Sequence, residues 1–174
     1  MAKVAINGFG RIGRTFFRMA FTHPDIEIVA INDLGNIDNL AYLLTYDSAY
    51  GRAPFTVTVE GTELVVDGKR IAIVQEKDPA KLPWGAMGVD VVVESTGFFT
   101  TYGGAGAHLT AGAKRVVISA PAKGKVPTYL QGVNVDKKTG THLIINNASC
   151  TTNCVGPVTA VIHEKFGIMK AAMT

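Results

Sequence analysis

The sequence predicts an α/β fold: an open, mostly parallel, doubly wound sheet with helices on both faces and a small antiparallel meander inserted into it. Three observations predict this. Short runs of β-branched residues alternate with segments of helical period from the first residue onward. A glycine-rich turn, G-x-G-x-x-G at 8–13, joins the first of those strands to the first helix. An Asp67-Gly68 pair lies between two β-branched runs, a short-range hairpin signal.

In order along the chain, Val4, Ala5 and Ile6 form a short buried strand ahead of the glycine turn. Ile12, Phe16, Met19 and Ala20 then recur at helical spacing, so 11 to about 22 reads as an amphipathic helix that Pro24 closes. Residues 27–32 (EIVAIN) give a second apolar strand ending in Asp33, completing a βαβ unit whose crossover is right-handed. A helix is expected over 37–46 and the meander over 55–75. Residues 77–88, with Pro79 and Pro83, read as loop. VDVVV at 89–93 looks buried on both faces and thus central in a parallel sheet. A short helix over 105–113, a strand over 114–119, a mixed polar stretch at 121–140, a last strand at 143–146 and a helix reaching 166 complete the pattern.

Composition narrows the class. At 174 residues the chain holds one full domain, with room for a piece of a second. With 47% hydrophobic and 18% charged residues it can bury a core, which excludes a disordered tail. Seventeen Lys and Arg against fourteen Asp and Glu leave +3, spread without a polybasic block, so nothing argues electrostatically for a nucleic-acid partner. Two cysteines cannot staple a fold of this size, which makes a reducing cytoplasm the default location. No apolar run approaches the ~20 residues that span a bilayer, and the N-terminus lacks signal-peptide order, so no membrane role is expected.

Gly8, Gly10 and Gly13 sit where a dinucleotide-binding, Rossmann-like turn requires glycine. The first allows the tight turn, the second a close backbone approach to pyrophosphate, the third the packing of helix on strand. Free N–H groups and the positive end of the helix dipole then face the anion. Asp33 lies 20 residues beyond Gly13, where a carboxylate accepts hydrogen bonds from the adenosine ribose. A 2′-phosphate would meet like charge there, and Leu34 has no hydroxyl to hold one. NAD is favoured over NADP.

Ligands of open parallel sheets sit outside the carboxyl ends of the strands. Three later strands end in small polar residues: Ser95, Thr96 and Gly97; Ser119; and Asn147 to Cys150. Turn capping explains any one of them, while three in succession point to a cofactor groove.

The run ASCTTNC at 148–154 is the most informative in the chain. Its cysteines are four apart, which does not match the C-x2-C spacing of common zinc sites, and no second pair completes one, so no metal is expected. Position leaves two readings open for Cys150. One is a thiol at a strand–helix junction, where unpaired N–H groups favour negative charge; the other is a buried structural cysteine. For Cys154 the structural reading is preferred. Pro157 leaves the helix start open as well, at Cys150 with a kink or near Gly156. Of the four histidines none is well placed as a base. His163 is thirteen residues along the helix, about 20 Å away at 1.5 Å per residue. His142 lies at the opposite edge of the sheet, and His23 and His108 fall on or beside surface helices.

INGFGRIGR at 6–14, IND at 31–33, ESTGF at 94–98, ISAP at 118–121 and above all ASCTTNC resemble the phosphorylating glyceraldehyde-3-phosphate dehydrogenases. The resemblance runs in order over the whole chain, while family chains are roughly twice as long. It implies an NAD-binding domain over 1–149 and, over 150–174, the first helix of a catalytic domain whose remainder is absent. It further implies that Cys150 attacks an aldehyde and that inorganic phosphate releases 1,3-bisphosphoglycerate. Carried over, Arg11, Ile12, Asp33, Lys77 and Ser119 match cofactor-contacting positions, and Ser149 and Thr151 match positions that bind substrate or phosphate. The family's catalytic histidine would lie beyond Thr174. The expectation is therefore an inactive polypeptide unless a complementing C-terminal half joins it, and a homotetramer when complete. The same chemistry on erythrose 4-phosphate and a non-catalytic NAD-binding or assembly module are the alternatives.

Overall fold

Everything in the molecule is built outward from its first strand, β1 (Ala2–Asn7), whose inner residues are buried on both faces. The computed structural model describes residues 1–135 and 141–174; residues 136–140 of the polar stretch lie outside the described residues. The glycine turn leads into α1 (Arg11–Ala20), and β2 (Ile26–Asn32) returns parallel to β1. Only part of the expected apolar stripe of α1 packs: Ala20 is buried and Phe16 lies partly buried against the core. Gly13, Phe17 and Ala20 are buried, while Ile12 and Met19 are 56% and 74% exposed. The reason is local: a Cβ on Gly13 would stand 2.1 Å from the Gly8 carbonyl oxygen. Seating that glycine on the turn rotates the helix so that positions i, i+4 and i+7 from Gly13 face the sheet.

Next come α2 (Ile37–Thr45), capped by the Asn36 side chain, and a two-stranded ribbon of β3 (Tyr46–Asp47) and β4 (Gly51–Arg52) that periodicity did not predict. The meander is β5 (Val57–Glu60), β6 (Glu63–Val66) and β7 (Lys69–Val74). Its Asp67-Gly68 turn has positive φ at both residues, 45° and 79°, as a two-residue type I′ hairpin needs. The meander is continuous with the main sheet, because β7 also pairs parallel to β2.

The stretch read as loop at 77–88 contains a 3-10 turn (Pro79–Lys81) and one helical turn, α3 (Trp84–Met87). Then follow β8 (Val91–Glu94), α4 (Tyr102–Thr110), β9 (Arg115–Ile118), β10 (Ile144–Asn146) and α5 (Cys150–Phe166). Helix α4 begins three residues before its expected start, at the Thr101 side-chain cap on the Gly104 amide. The eight-stranded sheet runs β10-β9-β8-β1-β2-β7-β6-β5, parallel from β10 to β7 and antiparallel only in the meander. Two apolar clusters flank it: Phe9, Phe17, Ile31 and Leu44 among others on one side, and Trp84, Val92, Val116 and Ile144 on the other. Strand order reverses at β1, between β2 and β8, which is where an open parallel sheet leaves a crevice for a ligand.

Candidate functional site

That crevice is a groove of about 1010 Å³ at the carboxyl ends of β1, β2, β7 and β8. One wall is the glycine turn. Gly8 takes φ +92°, and a Cβ there would lie 2.7 Å from the Thr96 backbone nitrogen. Phe9 is fully buried against Phe17, edge to face at 5.7 Å, and pins the turn to the core. Gly10 is the N-cap of α1 and has no side chain to cap it, so the first-turn N–H groups are uncapped. A Cβ on Gly10 would meet nothing within 4 Å: it would project into open groove.

Asp33 closes one end. Its Oδ2 accepts the Phe9 N–H at 2.7 Å and its Oδ1 accepts the Gly35 N–H at 2.8 Å. A carboxylate offers about four acceptor sites, so two remain for a ligand. Leu34, Lys77, Pro79, Phe98 and Phe99 also line the groove.

Beneath the groove runs a chain of buried polar side chains. Asn32 is clamped in orientation by Glu76, donating to its carbonyl at 2.9 Å and accepting its amide at 2.9 Å. Asn32 also donates to Asn7 Oδ1 at 2.7 Å, which leaves Asn7 Nδ2 to donate to Glu94 Oε2 at 2.6 Å. From the other side the Trp84 indole N–H reaches His108 Nδ1 at 3.0 Å, and His108 Nε2 lies 2.9 Å from the same Glu94 oxygen. Glu94 Oε1 accepts from the Thr96 amide at 2.8 Å and from its hydroxyl. His108 is therefore no surface side chain, as its helix pattern had suggested, but fully buried.

Farther along the same crest, Asn146 donates to the Val126 and Pro127 carbonyls and accepts the Ala148 amide at 2.9 Å. Ala148 takes φ +60°, an uncommon conformation for a residue with a side chain, and the chain turns there into α5. Ser149 caps that helix through Thr152 N at 3.0 Å, so α5 starts at Cys150 and runs through Pro157. Cys150 is thus the first helical residue and exposed; Cys154, one turn on, is exposed too and not the buried structural cysteine its position favoured. The strand that leads to Cys150, β10, is three strand spacings, about 14 Å, from β1.

Comparison with known proteins agrees with this arrangement. The sequence model of the glyceraldehyde 3-phosphate dehydrogenase NAD binding domain matches residues 2–102, and that of the C-terminal domain matches residues 149–174. This chain belongs to the glyceraldehyde 3-phosphate dehydrogenase family. It is 56% identical over 173 residues to the glyceraldehyde-3-phosphate dehydrogenase of Geobacillus stearothermophilus, covering 99% of this chain and 52% of that one. Glyceraldehyde-3-phosphate dehydrogenase 1 of Kluyveromyces lactis is 53% identical over 175 residues, and glyceraldehyde-3-phosphate dehydrogenase A of Escherichia coli K12 is 53% identical over 172. These matches cover 100% and 99% of this chain, and 53% and 52% of the relatives. The chain thus spans about half the length of the curated relatives it matches.

NAD is the cofactor of this dehydrogenase domain, and the groove's chemistry fits it. Uncapped helix N–H groups beside a side-chain-free Gly10 suit a pyrophosphate, and the spare acceptor sites of Asp33 suit a ribose diol. No acidic residue stands in the first turn of α1 to oppose an anion.

Of the residues singled out from sequence, Gly8, Gly10, Asp33, Lys77, Ser95 and Thr96 line the groove together. Gly13 lies behind it, packing α1 on the turn. Arg11 and Ile12 are exposed at the start of α1, and Gly97 lies in the bend at 96–98 with φ +79°. Ser119 follows β9, its amide bound to the Glu94 carbonyl at 2.9 Å. Ser149, Cys150 and Thr151 stand apart at the start of α5. Sequence reasoning missed Asn7, Asn32, Glu94, Asn146 and His108. The first four carry a shared signal, since each ends an otherwise apolar strand: VAIN, VAIN, VVVE and IIN.

Proposed function

We propose that this chain is the NAD-binding part, together with the start of the catalytic part, of an enzyme that oxidises glyceraldehyde 3-phosphate to 1,3-bisphosphoglycerate with inorganic phosphate. On this reading residues 1–149 form the NAD domain and 150–174 begin the catalytic domain. The observation that carries it is the exposed Cys150 at the first position of α5, on the same crest as the nucleotide groove.

Gly8, Gly10, Arg11 and Ile12 would hold the pyrophosphate, with Gly13 packing α1 on the turn behind them, and Asp33 would hold the adenosine ribose. Lys77, after β7, would contact the cofactor at its adenosine end beside Asp33, and Ser95, Thr96, Gly97 and Ser119 would line the path toward the nicotinamide. The bound cofactor supplies a hydride acceptor. Cys150 Sγ adds to the aldehyde carbon to form a thiohemiacetal, while the helix start favours the charge developing nearby. After hydride loss the carbon is a thioester on Sγ. Inorganic phosphate attacks it, the C–S bond breaks, and 1,3-bisphosphoglycerate leaves with Cys150 restored as thiolate. Ser149 and Thr151, flanking the sulfur, would hold substrate or phosphate oxygens.

The base is supplied from outside these residues. Each histidine has its partner elsewhere: His23 with the Asp25 amide, His108 with Glu94 and Trp84, His142 on the Tyr129 ring, His163 with the Ile168 amide. The chain by itself therefore turns over little or nothing. Val158, Val161 and Ile162 of α5 are exposed, which suits a helix that packs in a further domain. With the same family reading go a cytoplasmic location and a homotetramer.

Iodoacetate labelling with and without NAD tests the proposal. Cys150 is expected to react ahead of Cys154, with NAD changing its rate, and a complementing C-terminal half is expected to restore phosphate-dependent NAD reduction by glyceraldehyde 3-phosphate. An inert Cys150, or no turnover on that aldehyde after complementation, overturns it.

A further inference from the structure

We propose that His108 is a positioning residue for the nucleotide groove: acting through Glu94, it fixes the Thr96 turn that packs against the glycine turn. The inference rests on the NAD reading of that groove.

Glu94 is 1% exposed, and among the described residues its side-chain partners are Asn7, His108 and Thr96, with no Lys or Arg. A buried carboxylate is tolerated only when its acceptor sites are filled. Four donor groups fill them here. Two reach the inner oxygen, from Asn7 and His108, and two reach the outer oxygen, from the Thr96 amide and hydroxyl.

The direction of every bond is set from the two ends of the chain. Glu76's backbone orients Asn32, and Asn32 orients Asn7 so that its amide group points at Glu94. An indole N–H can only donate, so His108 Nδ1 is an acceptor and the ring proton sits on Nε2, aimed at Glu94 Oε2. Trp84 thus sets the tautomer that makes His108 a donor. The outer oxygen, held in this way, grips Thr96. The Thr96 backbone lies 2.7 Å from where a Gly8 side chain would begin, and the Ser95 hydroxyl donates to the Gly8 carbonyl at 2.7 Å, so the place of this turn bears directly on that of the glycine turn.

An apolar residue of similar volume would fill the same hole in the core. It would leave Glu94 short of one donor, and the Thr96 turn would lose its anchor. The two roles separate by experiment. NAD and ADP-ribose are titrated into the chain and into His108→Leu and His108→Gln, following binding by calorimetry and the Trp84 indole N–H by NMR. The chain has one tryptophan, so that signal is unique, and Trp84 does not line the groove.

His108→Leu is expected to bind NAD about tenfold more weakly, the worth of a hydrogen bond to a charged group. His108→Gln, which keeps a donor, is expected to stay within about threefold of the parent chain. Saturating ADP-ribose is expected to shift the Trp84 indole signal in the parent chain. Equal affinity of His108→Leu and the parent overturns the proposal, as does a failure of Gln to rescue. Should the Leu variant not fold, a stationary indole signal at saturation in the parent chain overturns it equally. If the parent chain binds neither ligand, the NAD reading itself fails, and that outcome is distinct from all of these.

Discussion

Asp33 Oδ2 accepts the Phe9 backbone N–H at 2.7 Å, so the carboxylate that follows β2 also holds the glycine turn that follows β1. One side chain thereby ties together the ends of the two strands that flank the proposed dinucleotide site. Replacing it would disturb both the wall and the proposed ribose contact. Asp33→Ala is expected to weaken NAD binding at least tenfold, given about 1.5–3 kcal/mol for a charged hydrogen bond. Asp33→Asn is expected to narrow the preference for NAD over NADP, because the like charge that repels a 2′-phosphate is gone. Parallel titrations with the two cofactors check this, and an unchanged ratio would count against the role given to Asp33.

The two outer-wall glycines separate fold from function. Gly8→Ala places a Cβ 2.7 Å from a backbone nitrogen at φ +92°, where a side chain alone costs about 1–2 kcal/mol. Its thermal midpoint is expected to fall. Gly10→Ala adds a methyl in open space, so its midpoint should fall less than that of Gly8→Ala, by no more than the poorer N-cap costs, while NAD affinity drops. Thermal melts with and without NAD distinguish the two variants.

Ser149 caps α5 through the Thr152 amide. Removing a serine cap costs about 1 kcal/mol. Since α5 buries none of its residues, that loss should show as local fraying more than as global unfolding. Ser149→Ala is expected to speed hydrogen exchange at Thr152 about fivefold. Exchange at the parent rate would mean that the cap contributes nothing.

Asp90 stitches the starts of three strands, taking the Lys3 amide at 2.8 Å and the Lys114 ammonium at 2.6 Å. The Lys114 hydrogen bond and then the Lys3 amide hold its carboxyl below the usual carboxylate range. The folded state therefore binds this proton more weakly than the unfolded state. The resulting stabilisation is complete above the ordinary carboxylate range and is lost as pH falls through the depressed value. Asp90→Asn is expected to be less stable than the parent chain at neutral pH, with the gap closing in acid. Melts across that range check the sign, and a constant gap would refute it.

Much of the fold is legible because its signals are local. The G-x-G-x-x-G turn, the Asp67-Gly68 hairpin and the alternation of strand and helix each follow from what a few adjacent residues permit the backbone to do. The same holds for Asp33, whose spacing from the glycines reflects the length of one helix and one strand. The rotation of α1 was misread because Ile12 and Met19 are apolar and look core-facing. What seats the helix is the contact between Gly13 and the Gly8 carbonyl, which hydropathy does not record.

By itself, then, the amino-acid order determined the strand–turn–helix units, the glycine turn with its carboxylate, and the family motif around Cys150. Tertiary structure alone decided three things: the helical start at Cys150 despite Pro157, the exposure of both thiols, and the burial of His108 against Glu94 and Trp84. The physical reason is range. Backbone propensity acts over a turn or two, whereas the partners of a buried polar group arrive from distant strands and helices, and only their assembled positions say which donors meet which acceptors.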